Sequence, residues 1–260
     1  MRDHGVAVEQ PNVIENGGPA PEPNGTGHAR HVAIVSDGSA RWARARDLAI
    51  ADGHAAAADN VLARIADAIE LGIAELTLYA FSTENWSRPA QEVQALLAML
   101  AQRIVADTPW LHARGVRVSF IGRRDRAGEA LCAAIESAER ITAANERIRV
   151  FVAFDYGGRD EIVKAAARYQ GGGEAAFASL LGSAGMQDPD LVIRTSGEQR
   201  LSNFLLWQSA YSELIFRAEM WPEFGRAALE ECLAEYSRRQ RRFGARGERG
   251  SALVQDLALP

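Results

Sequence analysis

Short apolar runs separated by longer amphipathic stretches make up most of the chain after residue 30. The runs have the length of buried strands, whereas the stretches repeat apolar residues at the three- and four-residue steps of a helix. Strands are therefore predicted at residues 32–35, 75–81, 116–121, 148–154, 191–194 and 213–216. Helices are predicted at residues 55–71, 90–112, 127–145, 160–169, 175–181, 204–211 and 226–242. This alternation predicts an α/β fold of six mostly parallel strands surrounded by helices.

Glycine and charged residues gather at the predicted strand ends. They are Asp37-Gly38, Gly122-Arg123, Gly158-Arg159 and the stretch from Arg194 to Arg200. Because the carboxyl ends of parallel strands share one edge of a sheet, these turns are expected to lie together. Exposed turns are commonly polar, which explains the glycines but not the grouped arginines. The arginines predict a polyanionic substrate at this edge.

The first strand and its turn, residues 31–42, have the pattern of an anion site. A buried strand that ends in small residues and opens a helix leaves backbone N–H groups at a positive helix end. Asp37 in this turn can hold a divalent cation, and Arg41 can grip phosphate oxygens with its planar fork. The alternative is an ordinary strand-to-helix turn with an aspartate near the N-cap.

A second anion site is predicted on the loop after the fifth strand. Arg194 and Arg200 flank Gly197 there, with Ser202 just beyond, and two guanidinium groups with a hydroxyl suit a diphosphate. Glu213, which begins the last strand, is either a metal ligand or a solvated strand end.

Composition and net charge indicate which classes of protein this chain can belong to. A chain of 260 residues that is 47% hydrophobic can bury one sizeable core, and its net charge of −5 argues against general nucleic-acid binding. Cys132 and Cys232 lack metal-ligand spacing and fit a reducing cytoplasm. The absence of a long apolar run argues against stable membrane insertion.

We expect a disordered arm at residues 1–28, a catalytic domain at residues 29–244 and a mobile tail at residues 245–260.

Eight motifs occur along the chain in a recognisable order. They are HVAIVSDGSARW, DGH, LTLYAFSTENWSRP, FIGRR, DYGGR, DLVIRTSGEQRLSNFLLWQSAYSEL, WPEF and RRFG. Through them the chain resembles the cis-prenyltransferase family of the undecaprenyl diphosphate synthase type, over residues 30–244. No single glycine loop would be as specific as this series.

The resemblance implies an apolar tunnel for the growing chain, a homodimer, and Mg²⁺-dependent coupling of an allylic prenyl diphosphate to a second five-carbon diphosphate. It implies a catalytic set of Asp37, His54, Ser82 and Asn85, with Asn85 as the proton acceptor. The implied allylic diphosphate site is Gly38, Ser39, Ala40, Arg41, Trp42, His54, Trp86 and Arg88. The implied second diphosphate site is Arg194, Arg200, Leu201 and Ser202. The implied metal ligands are Asp37 and Glu213.

The sequence departs from the family pattern at four positions. Ser39 and Ala40 replace the usual asparagine and second glycine of the first turn, and Asp155 replaces an asparagine. Ile50 stands where long-chain members commonly carry an arginine that grips the allylic diphosphate. One charge-assisted contact contributes about 1.5–3 kcal/mol. The loss of this arginine contact at position 50 therefore indicates that the chain binds its first substrate, the allylic diphosphate, in a different way.

Three functions remain open at this point. The first is regular cis-elongation to a short product such as Z-farnesyl diphosphate. The second is irregular head-to-middle coupling of two allylic diphosphates to a lavandulyl-type product. The third, a non-catalytic partner subunit, predicts loss of Asp37 and of the second arginine site, both of which are present. A nucleotide-binding function is disfavoured, because the chain lacks the glycine motifs of nucleotide-binding proteins.

Overall fold

The computed structural model describes residues 28–183 and 185–239. Within them, six strands form one sheet: β1 (His31–Val35), β2 (Glu75–Ser82), β3 (Val116–Ile121), β4 (Ile148–Tyr156), β5 (Leu191–Arg194) and β6 (Glu213–Phe216). Their order is β3-β4-β2-β1-β5-β6, and every neighbouring pair is parallel. The predicted sheet of six parallel strands is confirmed.

Seven α-helices accompany the strands in the described part of the chain, six of them between strands and α7 after the last strand. They are α1 (Ser39–Arg44), α2 (Ile50–Glu70), α3 (Ala90–Ala113), α4 (Glu129–Thr142), α5 (Gly158–Ala166), α6 (Gly173–Ala178) and α7 (Arg226–Arg238). A 3₁₀ turn at Thr83–Ser87 follows β2 directly. The helices that join parallel strands bring all carboxyl strand ends to the same edge of the sheet.

The central strand β1 is buried along its whole length. Its side chains alternate between the two faces of the sheet, as the two-residue period of a strand requires. Val32 and Ile34 belong to one apolar cluster, which includes residues of α2 and α7. Ala33 and Val35 belong to another cluster. Burial on both faces explains why β1 is a continuous apolar run.

Helix α2 begins at Ile50, ahead of the predicted start at residue 55. The segment 52–54, expected to lead into the helix, lies inside it. Asp52 accepts a hydrogen bond from the Ala49 N–H at 3.1 Å and so stabilises the first turn. A Cβ on Gly53 would meet the Ser39 carbonyl at 2.4 Å, so the glycine permits close packing of α2 on α1.

The aromatic segment 204–211 was predicted as a helix, and this prediction is wrong. The structure has turns there, and Leu205 has a positive φ of 43°. Phe204 stacks on Tyr79 with ring centroids 4.5 Å apart, and Trp207 packs on Phe177 at 4.6 Å. Burial of these rings against separate parts of the fold overrides the local helical pattern.

No helix in the described ranges has the length and hydropathy needed to span a bilayer. The predicted arm lies outside the described residues apart from His28, and the predicted tail at residues 245–260 lies wholly outside them.

Candidate active site

A cavity of about 760 Å³ opens at the carboxyl edge of the sheet and continues between the sheet and helices α2 and α3. Polar side chains line it where the chain leaves β1, β2 and β5. These residues include Ser36, Asp37, Ser39, Arg41, Ser82, Asn85, Arg88, Arg194, Ser202 and Asn203. The cavity therefore lies at the edge where α/β proteins bind their ligands.

The rest of the cavity wall is mostly apolar. Helix α2 contributes Val61, Leu62 and Ile65, helix α3 contributes Leu96, Met99, Leu100 and Ile104, and the sheet contributes Leu78, Val118, Val150 and Val152. Arg103, Asp107 and Thr108 of α3 also line this part, and Arg103 Nε donates to Asp107 Oδ2 at 3.1 Å. The cavity thus joins a charged end to an interior that is mostly apolar. Such a space suits a molecule with an anionic head and an apolar chain.

Asp37 lies at the charged end, directly beyond β1. Arg194 donates a hydrogen bond from Nη2 to Asp37 Oδ2 at 3.0 Å, and Arg41 Nη2 lies 3.3 Å from the same oxygen. Burial alone would raise the pKa of Asp37, but the hydrogen bond and charge of Arg194, with the charge of Arg41, hold it below its ordinary value. Asp37 is therefore ionised near neutral pH.

The turn that carries Asp37 is packed tightly against the loop after β5. Gly38 has a φ of 108°, and a Cβ there would lie 2.9 Å from Ser196 Cβ and 3.0 Å from Met220 Cβ. The Asp37 N–H donates to Thr195 Oγ1 at 2.9 Å, which ties the two loops together. Only glycine meets both requirements at position 38, the positive φ and the missing side chain.

Arg194 is buried, with 5% of its surface exposed, and connects the two predicted anion sites. Its Nη1 donates to Ser202 Oγ at 2.6 Å and to the Arg200 carbonyl at 2.5 Å, while Nη2 binds Asp37. Its Nε has no partner within the described residues. The first and the last thirds of the sequence meet at this guanidinium.

Arg41 is the second cation beside Asp37. It donates from Nη2 to Ser196 Oγ at 2.5 Å, and its Nη1 lies 3.4 Å from Glu198. Its side chain is 43% exposed, so its guanidinium remains accessible to an anion entering the cavity. Arg41 and Arg194 together place two cations beside the carboxylate of Asp37 at this end of the cavity.

His54 lines the cavity from the second turn of α2. Burial, and then the positive charge of Arg88, lower the pKa of His54, although Glu92 opposes this. Its Nε2 is buried and has no hydrogen-bond partner in the part of the chain described. A neutral imidazole with an unpaired buried nitrogen fits a ligand-binding role, since buried polar atoms in proteins are normally paired.

The segment from Ser82 to Arg88 borders the cavity beyond β2. Asn85 Oδ1 accepts a hydrogen bond from the Ser82 N–H at 2.9 Å, which closes the 3₁₀ turn on itself. Ser82, Asn85 and Arg88 line the cavity. Trp86 does not line it, and its ring meets Phe81, which does, edge-on at 5.4 Å.

The structure brings most of the predicted site residues together. Cavity-lining residues among them are Asp37, Gly38, Ser39, Ala40, Arg41, His54, Ser82, Asn85, Arg88, Arg194 and Ser202. Trp42, Trp86 and Leu201 do not line the cavity. The Arg200 side chain is 61% exposed and pairs with Glu198, although its carbonyl binds Arg194.

Within one chain, Glu213 does not lie near Asp37. It begins β6 at the amino edge of the sheet, whereas Asp37 follows the carboxyl end of β1. Its carboxylate pairs with Arg239 at 2.8 Å. Parallel topology separates the two carboxylates, and the described residues hold no group of three or more histidine, cysteine or acidic side chains able to bind a metal.

Three residues that shape the site escaped the sequence analysis. Ser196 orients Arg41, and Asn203 donates to Glu84 at 2.9 Å and accepts from the Arg159 N–H at 2.8 Å. Asp155, noted only as a departure, accepts a hydrogen bond from Trp86. All three have positive φ, a feature concentrated at functional sites. An Asn directly after Ser in a polar loop is a weak signal for such a conformation.

Comparison with known proteins agrees with this geometry. The family model of undecaprenyl diphosphate synthase matches residues 35–244. Isoprenyl transferase 2 of Bradyrhizobium diazoefficiens is 48% identical over 225 residues, covering 82% of this chain and 89% of that protein. The isoprenyl transferase of Rhizobium meliloti is 44% identical, covering 82% and 91%.

Among solved structures, lavandulyl diphosphate synthase from Lavandula x intermedia, in complex with dimethylallyl diphosphate, superposes with a TM-score of 0.81. It is 36% identical, with 84% of this chain and 99% of that chain covered. Fold and site together define a prenyl-transferring α/β enzyme. The chain belongs to the undecaprenyl diphosphate synthase family of cis-prenyltransferases.

Proposed function

We propose that this prenyl diphosphate synthase performs regular cis-elongation, coupling an allylic prenyl diphosphate to isopentenyl diphosphate. The main support for the proposal is the pairing of Asp37 with Arg194 and Arg41 at one end of a cavity whose remaining wall is mostly apolar. The charged end suits two diphosphates, and the apolar interior suits a growing chain. We propose that this cavity is the tunnel expected from the resemblance.

The reaction breaks the allylic carbon–oxygen bond, and diphosphate leaves with the electron pair. The double bond of isopentenyl diphosphate attacks the allylic carbon, a new carbon–carbon bond forms, and a proton is lost. In this proposal Gly38, Ser39, Ala40, Arg41 and His54 bind the allylic diphosphate. Fixed cations placed where negative charge develops are the strongest means of stabilising such a leaving group.

Asp37 is the group in this cavity suited to hold Mg²⁺. Mg²⁺ commonly binds one or two carboxylates and completes its shell with waters and substrate phosphates, so a single ionised carboxylate beside a diphosphate site fits its chemistry. When bound, Mg²⁺ neutralises diphosphate charge and so favours its departure. Asp37 is kept ionised for this role by Arg194 and Arg41.

Arg194, Arg200 and Ser202 form the proposed site of the second diphosphate. Arg194 and Ser202 line the cavity and are already hydrogen-bonded at 2.6 Å, so their positions are fixed before substrate arrives. The exposed Arg200 side chain would turn from Glu198 toward the incoming anion. Asn85, held by Ser82, is the proposed proton acceptor.

The cavity volume bears on product length. At about 30 Å³ for each carbon, the share that a water molecule takes in the liquid, a farnesyl chain needs on the order of 450 Å³. The cavity of about 760 Å³, part of which the diphosphates fill, is thus of the size that a farnesyl chain needs. We propose a short product of this class, with its length set by the depth of the cavity.

Irregular coupling of two allylic diphosphates is the second candidate. It is favoured by the similarity to the lavandulyl diphosphate synthase and by Ile50, which removes an arginine expected near the allylic site. The retained Arg194 and Ser202 would then bind the second dimethylallyl diphosphate.

Incubation with dimethylallyl diphosphate and Mg²⁺ separates the two candidates. Regular elongation requires isopentenyl diphosphate, so we expect no coupled product until that substrate is added. Product mass and retention, measured with and without isopentenyl diphosphate, check this. A ten-carbon branched diphosphate formed from dimethylallyl diphosphate alone would replace the first candidate by the second.

Ile50→Arg tests the departure from the family pattern. Residues 50 and 54 lie one turn apart on α2, so an arginine at position 50 extends from the helix face that carries the cavity-lining His54. We expect the KM for the allylic substrate to fall about tenfold, the value of one charge-assisted contact. Ile50→Leu is the matched control, and an unchanged KM in Ile50→Arg would show that the position is idle.

We also propose a homodimer that works in the cytoplasm on soluble diphosphate substrates. Cys132 and Cys232 are free cysteines, in keeping with a reducing compartment. Sedimentation of the full chain in the presence of substrate tests the assembly.

A further inference from the structure

Trp86 is fixed by contacts on three sides. Its indole Nε1 donates a hydrogen bond to Asp155 Oδ1 at 2.9 Å. The Arg126 guanidinium lies 4.7 Å from the ring centroid, and Phe81 meets the ring edge-on at 5.4 Å. A tryptophan held by a hydrogen bond, a cation and an aromatic edge has little freedom to turn.

Asp155 supplies the polar part of this arrangement. It is fully buried, with a φ of 44°, and its two carboxylate oxygens accept from Arg126 Nε, at 2.9 Å, and from Arg126 Nη2. Its carbonyl accepts from the Arg123 N–H at 3.2 Å. A buried carboxylate is stable only when it is paired and hydrogen-bonded, and here Arg126 and Trp86 meet that need.

The site depends on the segment that Trp86 anchors. Ser82, Asn85 and Arg88 line the cavity, while Trp86 does not line it and donates its hydrogen bond to Asp155. The same turn is tied at its other side, where Glu84 accepts a hydrogen bond from Asn203 at 2.9 Å. Two anchors thus hold one short turn against the charged end of the cavity.

We propose that Asp155 is a positioning residue for prenyl transfer: its buried carboxylate fixes Trp86 and Arg126, and through Trp86 it holds Asn85 and Arg88 at the cavity. This inference rests on the proposed function for its kinetic consequence. An asparagine at position 155 would keep the shape and an acceptor for Trp86, but it would turn an amide N–H₂ toward the guanidinium of Arg126. The charge, and not only the hydrogen bond, secures the turn.

The test compares Asp155→Asn with Trp86→Phe and with the double variant. Asp160→Asn is the matched control, because Asp160 is a partly exposed carboxylate that pairs with Lys164 on α5. In Asp155→Asn we expect the KM for geranyl diphosphate to rise about tenfold, with the KM for isopentenyl diphosphate unchanged. The double variant should be no worse than the poorer single variant, since both changes release the same turn.

A second measurement does not depend on activity. Acrylamide quenching of the Trp86 fluorescence, taken as the difference between chains with and without Trp86, should increase severalfold in Asp155→Asn. Arg126→Gln removes the same ion pair from its partly exposed side and should reproduce both changes if Asp155→Asn fails to fold.

Unchanged quenching, or a KM effect of Asp155→Asn that persists in full when Trp86 is already phenylalanine, would overturn the proposal. Absence of prenyl transfer by the unmodified protein would instead refute the proposed function. The quenching comparison would still decide whether Asp155 positions Trp86.

Discussion

Asp37→Ala is expected to lower kcat on the order of a thousandfold or more, the largest effect of any single change in this protein. Asp37 is the ionised carboxylate at the charged end of the cavity, and the proposed Mg²⁺ site consists of it and the substrate phosphates. Its removal also leaves Arg194 and Arg41 without their shared anion. Steady-state rates with geranyl and isopentenyl diphosphates measure the loss.

Two controls separate catalysis from folding in this experiment. Asp37→Asn keeps the size of the side chain and should lose nearly as much activity, because the charge is what matters. Asp125→Ala removes an exposed carboxylate that pairs locally with Arg123, and it should leave the rate unchanged. If Asp37→Ala keeps a tenth of the original activity while remaining folded, the metal role of Asp37 is wrong.

Arg194→Lys is expected to lower kcat/KM for isopentenyl diphosphate by about a hundredfold or more. The guanidinium binds Ser202 and the Arg200 carbonyl through one nitrogen and Asp37 through another. A lysine keeps the charge but cannot hold this forked geometry. Arg194 should therefore not be replaceable by a residue of equal charge.

The substrate dependence of this variant identifies the site that Arg194 serves. We expect the KM for isopentenyl diphosphate to rise far more than the KM for geranyl diphosphate. Arg123→Ala, which changes another arginine at a carboxyl strand end, should behave like the unmodified protein, since Arg123 does not line the cavity. A larger rise in the KM for geranyl diphosphate would place Arg194 in the allylic site instead, and equal effects on both substrates would contradict a role confined to the second diphosphate.

The sequence predicts that Asp37 and Arg194 lie at the same edge of the sheet, because apolar runs locate the strands and parallel strands share their carboxyl edge. That the two residues are neighbours depends on the pairing of β1 with β5, which the structure shows and the sequence does not. The same rule, applied to strand starts, explains why Glu213 lies at the other edge. The family resemblance alone predicts that Glu213 is a metal ligand together with Asp37, and that prediction does not consider that Glu213 begins its strand.

Features decided by packing between distant residues were not predictable in this way. The segment 204–211 has helical composition, yet Phe204 and Trp207 are drawn to rings elsewhere in the fold. The positive φ values of Asp155, Ser196 and Asn203 depend on partners far along the chain. The local sequence shows that an Asp or Asn stands at such a position. It does not show which distant residue stabilises the positive φ there.

The measurement that bears most directly on the account is the mass of the product formed from geranyl diphosphate and isopentenyl diphosphate with Mg²⁺. We expect farnesyl diphosphate with a new Z double bond, together with products longer by whole five-carbon units, and no product when Mg²⁺ is chelated. A branched product, or unreacted substrates under these conditions, would contradict the claim that this cavity elongates a prenyl chain.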